Sequence, residues 1–365
     1  MTTTINTVSG VPGILSDAEI AQSAESLVSL QLRSGAIPWF VGGHCDPWNH
    51  VEAAMALTVT GYADHAKAAY RWLREAQLGD GSWFNYYGGD QVKDARLDTN
   101  VCAYVAAGVY HYLVATGDID FGIEMWPTVE RAIDFVLRYQ LSDGTIAWSL
   151  DSIGKRESYA LLTGSSSIFH SLRCAVALAE RVDVAKPAWE LAAGRLGHAV
   201  AHHPGAFAPK NEFAMDWYYP IFSGALFGAA GLKRIDDGWE RHVMDGYGVR
   251  CVSTSDWVTA AETAECVLAL DALGLTSRAL DLFSYTRRHR RSDGAYWTGI
   301  AYPGEVTFPD RETTSYTAAA IILAADALTS SSGAASLFRH DSLPVPIDLA
   351  EPNCPLSLVK ARERA

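Results

Sequence analysis

The chain has 365 residues, 49% hydrophobic and 19% charged, with a formal net charge of −13. It has enough apolar material for a sizeable core, and its acidic balance argues against nucleic acid or an anionic membrane as partner, because both call for a basic face. No run of about 18 apolar residues marks a transmembrane helix, Met1–Asn6 lacks the basic-then-apolar order of a secretory signal, and the scattered Cys45, Cys102, Cys174, Cys251, Cys266 and Cys354 form no CxxC pair, all of which points to a reducing cytoplasm.

Taken in chain order, residues 1–15 read as an N-terminal segment, 16–328 as one helical domain, and 329–365 as a Ser- and Pro-containing tail, packed outside or partly mobile. Inside the domain, amphipathic helices with charged faces are expected at about 17–32, 63–77, 126–140, 186–202, 232–244 and 275–290. Between them lie alanine-rich helices, apolar nearly all round, a pattern that belongs to buried helices. Their expected starts are Asp46-Pro-Trp-Asn, Asp98-Thr-Asn, Gly164-Ser-Ser-Ser, Asp216-Trp-Tyr-Tyr, Asp256-Trp-Val-Thr and Arg311-Glu-Thr-Thr. Asp, Ser and Thr there can cap the free N–H groups of a first turn, and Pro47 suits a first helical position.

A turn motif punctuates the amphipathic helices. Gln77-Leu-Gly-Asp-Gly-Ser-Trp83 is echoed by Gln140-Leu-Ser-Asp-Gly-Thr-Ile-Ala-Trp148 and Arg291-Ser-Asp-Gly-Ala-Tyr-Trp297, and more weakly by Gln31-Leu-Arg-Ser-Gly-Ala-Ile-Pro-Trp39. Each holds a glycine where a helix would end. Six alternating pairs predict an all-α (α/α)6 toroid of six inner and six outer helices. Antiparallel neighbours then bring all six inner N-termini, and the long loops before them, to one rim.

That rim is where function is expected. Seven of the eleven tryptophans (Trp39, Trp48, Trp83, Trp148, Trp217, Trp257, Trp297) fall there. Aromatic faces beside carboxylates suit sugar rings, although Trp83, Trp148 and Trp297 equally suit cement between repeats. Among the rim acids, Asp46, Asp98, Asp216 and Asp256 sit where caps belong. Glu262 is expected in the second turn of an alanine-rich helix, where a cap does not explain it. A carboxyl buried there keeps its proton, as a general acid requires. Glu265, one turn deeper, reads as structural. Glycoside hydrolysis usually uses two carboxyls. Asp46 in Gly42-Gly-His-Cys-Asp-Pro-Trp-Asn49 is the chosen partner, with two glycines leaving room for a ligand. The expected site is therefore Glu262 and Asp46 as catalytic pair, with His44, Trp48, Asn49, Asp98, Trp217, Tyr218, Asp256, Trp257 and Glu312 contacting a poly- or oligosaccharide. No cofactor and no metal are expected: His44, Cys45, Asp46 and His50 have no second ligand cluster to match them. The sequence carries no signal for oligomeric state.

The helical-hairpin repeat is similar to that of squalene and terpene cyclases and of protein prenyltransferase β-subunits. The chain departs from both, having neither the Asp-x-Asp-Asp acid motif nor the Asp-x-Cys…His zinc set. Residues 42–49, Leu97-Asp-Thr-Asn100 and Asp256-Trp-Val-Thr-Ala-Ala-Glu-Thr-Ala-Glu265 resemble the mycobacterial methylmannose polysaccharide hydrolase family more closely. That resemblance implies an intracellular endo-α-1,4-mannosidase acting on 3-O-methylmannose chains, with an Asp on the first inner helix and a Glu on the fifth as its acid pair, at Asp46 and Glu262. Linkage and methylation come from the resemblance alone. An inverting mechanism is expected. Two alternatives stand beside it: an isoprenoid enzyme, which would want an almost acid-free lumen or zinc, and a non-catalytic glycan-binding toroid.

Overall fold

The computed structural model describes residues 6–89 and 91–347. Among them are helices α1 (Asp17–Leu30), α2 (Pro47–Val59), α3 (Ala63–Ala76), α4 (Thr99–Ala103), α5 (Val105–Thr116), α6 (Ile119–Leu137), α7 (Leu162–Arg181), α8 (Pro187–His202), α9 (Ala214–Phe222), α10 (Gly228–His242), α11 (Ala260–Ala272), α12 (Thr276–Tyr285) and α13 (Ser315–Thr329). The inner helices α2, α5, α7, α9, α11 and α13 each pack on the next, and α13 packs back on α2, so the inner ring closes. The outer helices α1, α3, α6, α8, α10 and α12 lean on the inner helices beside them. This is the expected (α/α)6 toroid. No described helix is long and apolar enough to cross a membrane.

The repeated turn explains how the outer wall is spaced. In three copies the glutamine amide donates twice, once to the motif's own glycine carbonyl and once to a carbonyl of the next outer helix. Gln31 reaches Gly35 and His65 (3.0 and 2.9 Å), Gln77 reaches Gly81 and Thr128 (3.0 and 2.9 Å), and Gln140 reaches Gly144 and Ala192 (3.1 and 2.9 Å). Gly35, Gly81, Gly144 and Gly294 all have φ between +86° and +98°. Each lies so close to the next outer helix that a Cβ would collide with its backbone, at 2.2 Å from Arg131 O for Gly81 and 2.4 Å from Gln22 O for Gly294. The last copy thus lands on α1, where Arg290 also donates to Gln22 at 2.7 Å, and the outer ring closes as well.

On the rim the lead-in loops are sewn together by backbone bonds. Tyr87 exchanges bonds with Cys45, Thr99 N donates to Trp148 O, Ala208 N to Ala160 O, Ala214 N to Cys251 O, Ala260 N to Thr298 O and Ser315 N to Trp39 O. Among the described residues, nine short strands lie in these loops. They are β1 (Tyr86–Gly88), β2 (Gln91–Asp94), β3 (Leu97–Asp98), β4 (Ser149–Leu150), β5 (Val243–Met244), β6 (Gly248–Arg250), β7 (Trp257–Thr259), β8 (Gly299–Ala301) and β9 (Val306–Thr307). β5 to β9 form a sequential antiparallel sheet.

Several boundaries depart from expectation. Asp256 starts no helix: β7 intervenes and Thr259 is the N-cap of α11. Asp216 lies inside the first turn of α9 rather than at its cap, α7 begins at Leu162 rather than Gly164, and Thr314 rather than Arg311 caps α13. The helix expected from 126 begins at Ile119, capped by Asp118, with Pro127 inside it. Residues 1–5 and 348–365 of the expected terminal segments lie outside the described residues. Much of the described tail packs inward and plugs the base of the toroid, while Val345 stays exposed. Leu337 and Phe338 are buried, Phe338 stacks on His170 (5.1 Å, 21°), and Tyr110 and Arg173 donate to Ser342 O and Pro344 O at 3.2 Å each.

The turn geometry gives a stability prediction. Gly81→Ala meets both the positive φ and the Arg131 carbonyl and should lose about 3 kcal/mol or more. Gly89→Ala, at φ +60° with nothing within 4 Å, meets only the backbone penalty of about 1 kcal/mol. Equal losses in urea unfolding would contradict the assignment of the motif as an inter-helix key.

Candidate active site

Asp46 is the N-cap of α2. Its Oδ1 accepts from Asn49 N (2.9 Å), and its Oδ2 accepts from Asn49 Nδ2 (2.7 Å) and from the Trp39 indole N–H. Three donors fix the carboxylate and leave one Oδ1 lone pair open. Asp98 repeats the pattern one helix on. Its Oδ1 accepts from Asn100 N and Val101 N (2.9 and 3.2 Å), and its Oδ2 from Trp148 Nε1 (2.6 Å). Burial pushes the Asp98 carboxyl up to about 6, against those hydrogen bonds and Arg96.

Aromatic side chains stand over these two caps. His44 lies between Trp39 (4.9 Å) and Tyr86 (4.3 Å), and its buried Nε2 has no partner. Trp148 is flanked by Tyr159 (5.6 Å) and Arg96 (5.1 Å). The wall at inner positions one and two is therefore aromatic and carries fixed acceptors, a combination that suits sugar rings.

Across the ring, Glu262 lies in the first turn of α11, not the second. The Thr259 hydroxyl, at the N-cap, donates to its carboxyl, but no side chain caps a backbone N–H of this first turn. Burial nevertheless raises the Glu262 carboxyl above the ordinary carboxylate range, opposed by the Cys251 thiol. Glu262 is 8% exposed, Trp48 7% and Tyr316 9%, whereas Glu52 and Glu265 below them are 2% and 1%. Trp48 spans the lumen, donating to Ser167 Oγ on α7 (3.2 Å), stacking on Tyr104 (4.4 Å, 18°) and meeting Tyr316 edge-on (5.6 Å). The lumen is thus floored just beneath Glu262, and the site is a bowl on the rim.

Under that floor sits a buried acid cluster that the sequence reading did not assemble. Tyr218 and Tyr219 donate to Glu265 at 2.5 and 2.9 Å, and Tyr104 donates to Glu52. Burial raises Glu265 to about 8, with the neighbouring Glu52 adding to it, and raises Glu52 to about 7 against the Tyr104 bond. Glu52 was legible by the criterion that singled out Glu262, an acid in an alanine-rich helix, but was passed over. Glu265, expected as structural, is buried and held by both tyrosines.

Three expected contacts lie elsewhere. Tyr218 is fully buried on Glu265, beneath the floor. Trp217 turns the opposite way, onto α10, where its indole donates to Arg234 O (2.8 Å) and stacks on His242 (5.2 Å, 16°). Asp256 is exposed and paired with Arg250 at 3.2 Å. Trp257 stands on β7 with its indole on Phe308 O (2.9 Å), and Glu312 accepts from Thr298 Oγ1 (3.0 Å).

No family model matches the chain. A curated relative, the MMP endo-(1,4)-3-O-methyl-α-D-mannosidase of Mycolicibacterium hassiacum, is 49% identical over 340 residues, covering 93% of this chain and 94% of the relative. Solved structures of similar fold include a glycosidase variant (TM-score 0.67, 14% identity, 87% of this chain and 99% of that one) and a D-mannose isomerase (0.64, 11%, 88% and 100%). At those identities the likeness is one of fold.

The buried pair gives a pH prediction. Glu52 and Glu265 hold protons in the folded state that the unfolded chain releases near its ordinary carboxylate value, so stability falls as pH rises from about 4.5 through 8. Glu265→Gln, while less stable at pH 5 through a disturbed tyrosine clamp, should show a flatter decline of melting temperature between pH 5 and 8.5. An unchanged slope would assign the decline to other groups.

Proposed function

The chain belongs to the family of MMP endo-(1,4)-3-O-methyl-α-D-mannosidases, and from that membership we propose that it is an endo-acting glycoside hydrolase cutting α-1,4-linked 3-O-methylmannose polysaccharide in the cytoplasm. The observation that carries this is the 49% identity, which runs through almost the whole of both chains. The bowl supports it: fixed acceptors and aromatic faces on one wall, and a buried carboxyl on another. A lumen holding Glu52, Glu262 and Glu265 disfavours the isoprenoid alternative, which wants a nearly acid-free cavity.

In this proposal Glu262 is the general acid and Asp46 the general base. Glu262 gives its proton to the glycosidic oxygen as the bond from that oxygen to the anomeric carbon breaks. Asp46, through its open Oδ1 position, takes a proton from the water that attacks the opposite face of the sugar. The raised Glu262 carboxyl suits a donor, and the three donors on Asp46 keep it oriented. The methyl groups give the substrate apolar edges suited to His44, Trp48 and Tyr86. Asn49 contributes by holding Asp46, and Asp98 offers a second fixed acceptor along the same wall. Trp257 and Glu312 belong to the far side of the rim.

Glu262→Gln and Asp46→Asn should each lower kcat on 3-O-methylmannose oligosaccharides by about 10²–10⁴-fold. Proton NMR of the first product should show the β-anomer, as inversion of an α-linkage demands. Retained hydrolysis in both variants would overturn the pair, and an initial α-anomer would overturn inversion.

A further inference from the structure

A cavity of about 530 Å³ opens on the outer wall, bounded by α7 to α10 and the 204–211 loop, within the ordinary size range of small-molecule sites. It lies outside the catalytic bowl. Its floor is apolar, built from Leu162, Phe207, Trp217 and Leu226. Trp217 is the aromatic residue of the α9 start that the bowl does not use. Gly238 lets it lie against α10, since a Cβ there would stand 2.3 Å from the indole nitrogen.

Two features point to a ligand. The first is His242, which lines the cavity, is 2% exposed and has a buried Nδ1 without a partner. Burial, then Arg241 and Arg250, lower its imidazole to about 4, so at neutral pH the ring offers a neutral donor or acceptor. The second is charge. Lys210, Lys233, Arg234 and Arg241 line the cavity against Asp216 and Asp237, an excess of positive groups in a chain of net charge −13. Asp216 Oδ1 already accepts from Thr163 N and Oγ1 (3.1 and 2.5 Å). Asp237 is occupied by Lys233 at 2.6 Å. Arg234 is tied to Trp217 O and Asp216 O (2.8 and 2.6 Å). Lys210 and Arg241 stand at the exposed edge.

We propose that this cavity is a second, non-catalytic binding site for a small organic anion built on one sugar-sized ring, a phosphorylated or carboxylated monosaccharide. The ring lies on the Trp217 side of the floor, beside His242, and the anionic group faces Lys210 and Arg241, with the Lys233–Asp237 pair next to them. The occupant would touch Leu162 and Asp216, at the starts of inner helices α7 and α9. The proposal is independent of which carboxyls perform hydrolysis.

Isothermal titration of the full chain with mannose 6-phosphate and with glucuronate tests it, the two arms separating phosphate from carboxylate. Saturable binding of either is expected. It should weaken at least about tenfold in the Lys210→Ala/Lys233→Ala/Arg241→Ala variant, and also at raised salt. These exposed side chains leave the core untouched, and unchanged circular dichroism will verify the fold. The proposal is overturned if neither anion binds, if neutral mannose binds as well as they do, if inorganic phosphate alone binds equally, or if the triple variant keeps its affinity.

Discussion

The glutamine–glycine turn at the C-terminal end of the outer helices is the constraint on which the rest of the molecule depends. One side-chain amide satisfies a carbonyl of its own turn and a carbonyl of the neighbouring helix, and a glycine with positive φ brings the two backbones into direct contact. Spacing between outer helices is therefore set by backbone, not by side chains that can adjust. Inner helices packed inside such a wall inherit its spacing, and their first turns arrive at one height. Only then can loops from successive repeats bond to one another round the rim and hold Asp46, Asp98 and Glu262 at its level. Two junctions, after α8 and α10, lack the motif. There the 204–211 loop and the β5–β7 strands take its place, and the outer cavity is found beside them.

The acids illustrate how one residue type serves different ends under different surroundings. Asp46 and Asp98 are helix caps whose second oxygens are gripped by tryptophan indoles, so each cap is also a fixed acceptor on the rim. Glu265 and Glu52 are sealed with tyrosines and hold their protons by desolvation. Glu262 stands between these cases, buried enough to be raised yet within the first turn at the bowl's edge. A cap and a site are not exclusive readings where the helix ends form the rim.

Periodicity carried most of the fold. The alternation of amphipathic and alanine-rich segments, the six pairs, and the turn motif were legible because helices run for many turns. The strands were not, since two to four residues have no detectable period and form because neighbouring loops lie close. The start of α11 was misplaced because Asp256 and Thr259 are both credible caps, and β7 decides between them. Trp217 and Tyr218 were grouped because both follow one acid, yet adjacent positions on a helix point about 100° apart, and the two side chains go to α10 and to the lumen. The plug at the base was invisible because its contacts join residues more than a hundred positions apart, such as Tyr110 with Ser342.

The way the toroid shuts has a consequence for its assembly. The turn that locks onto α1, the backbone bond from Ser315 to Trp39, and the plug across the base all belong to about the last fifth of the chain. A nascent chain emerging from the ribosome therefore carries an unclosed crescent, with the lumen face of α2 and its buried carboxyl Glu52 open to water, until the final helices appear. Contacts this distant in sequence form slowly and leave apolar surface exposed while they wait. Maturation of this molecule is thus a matter of timing at its C-terminal end, and truncation there would strand the whole ring open.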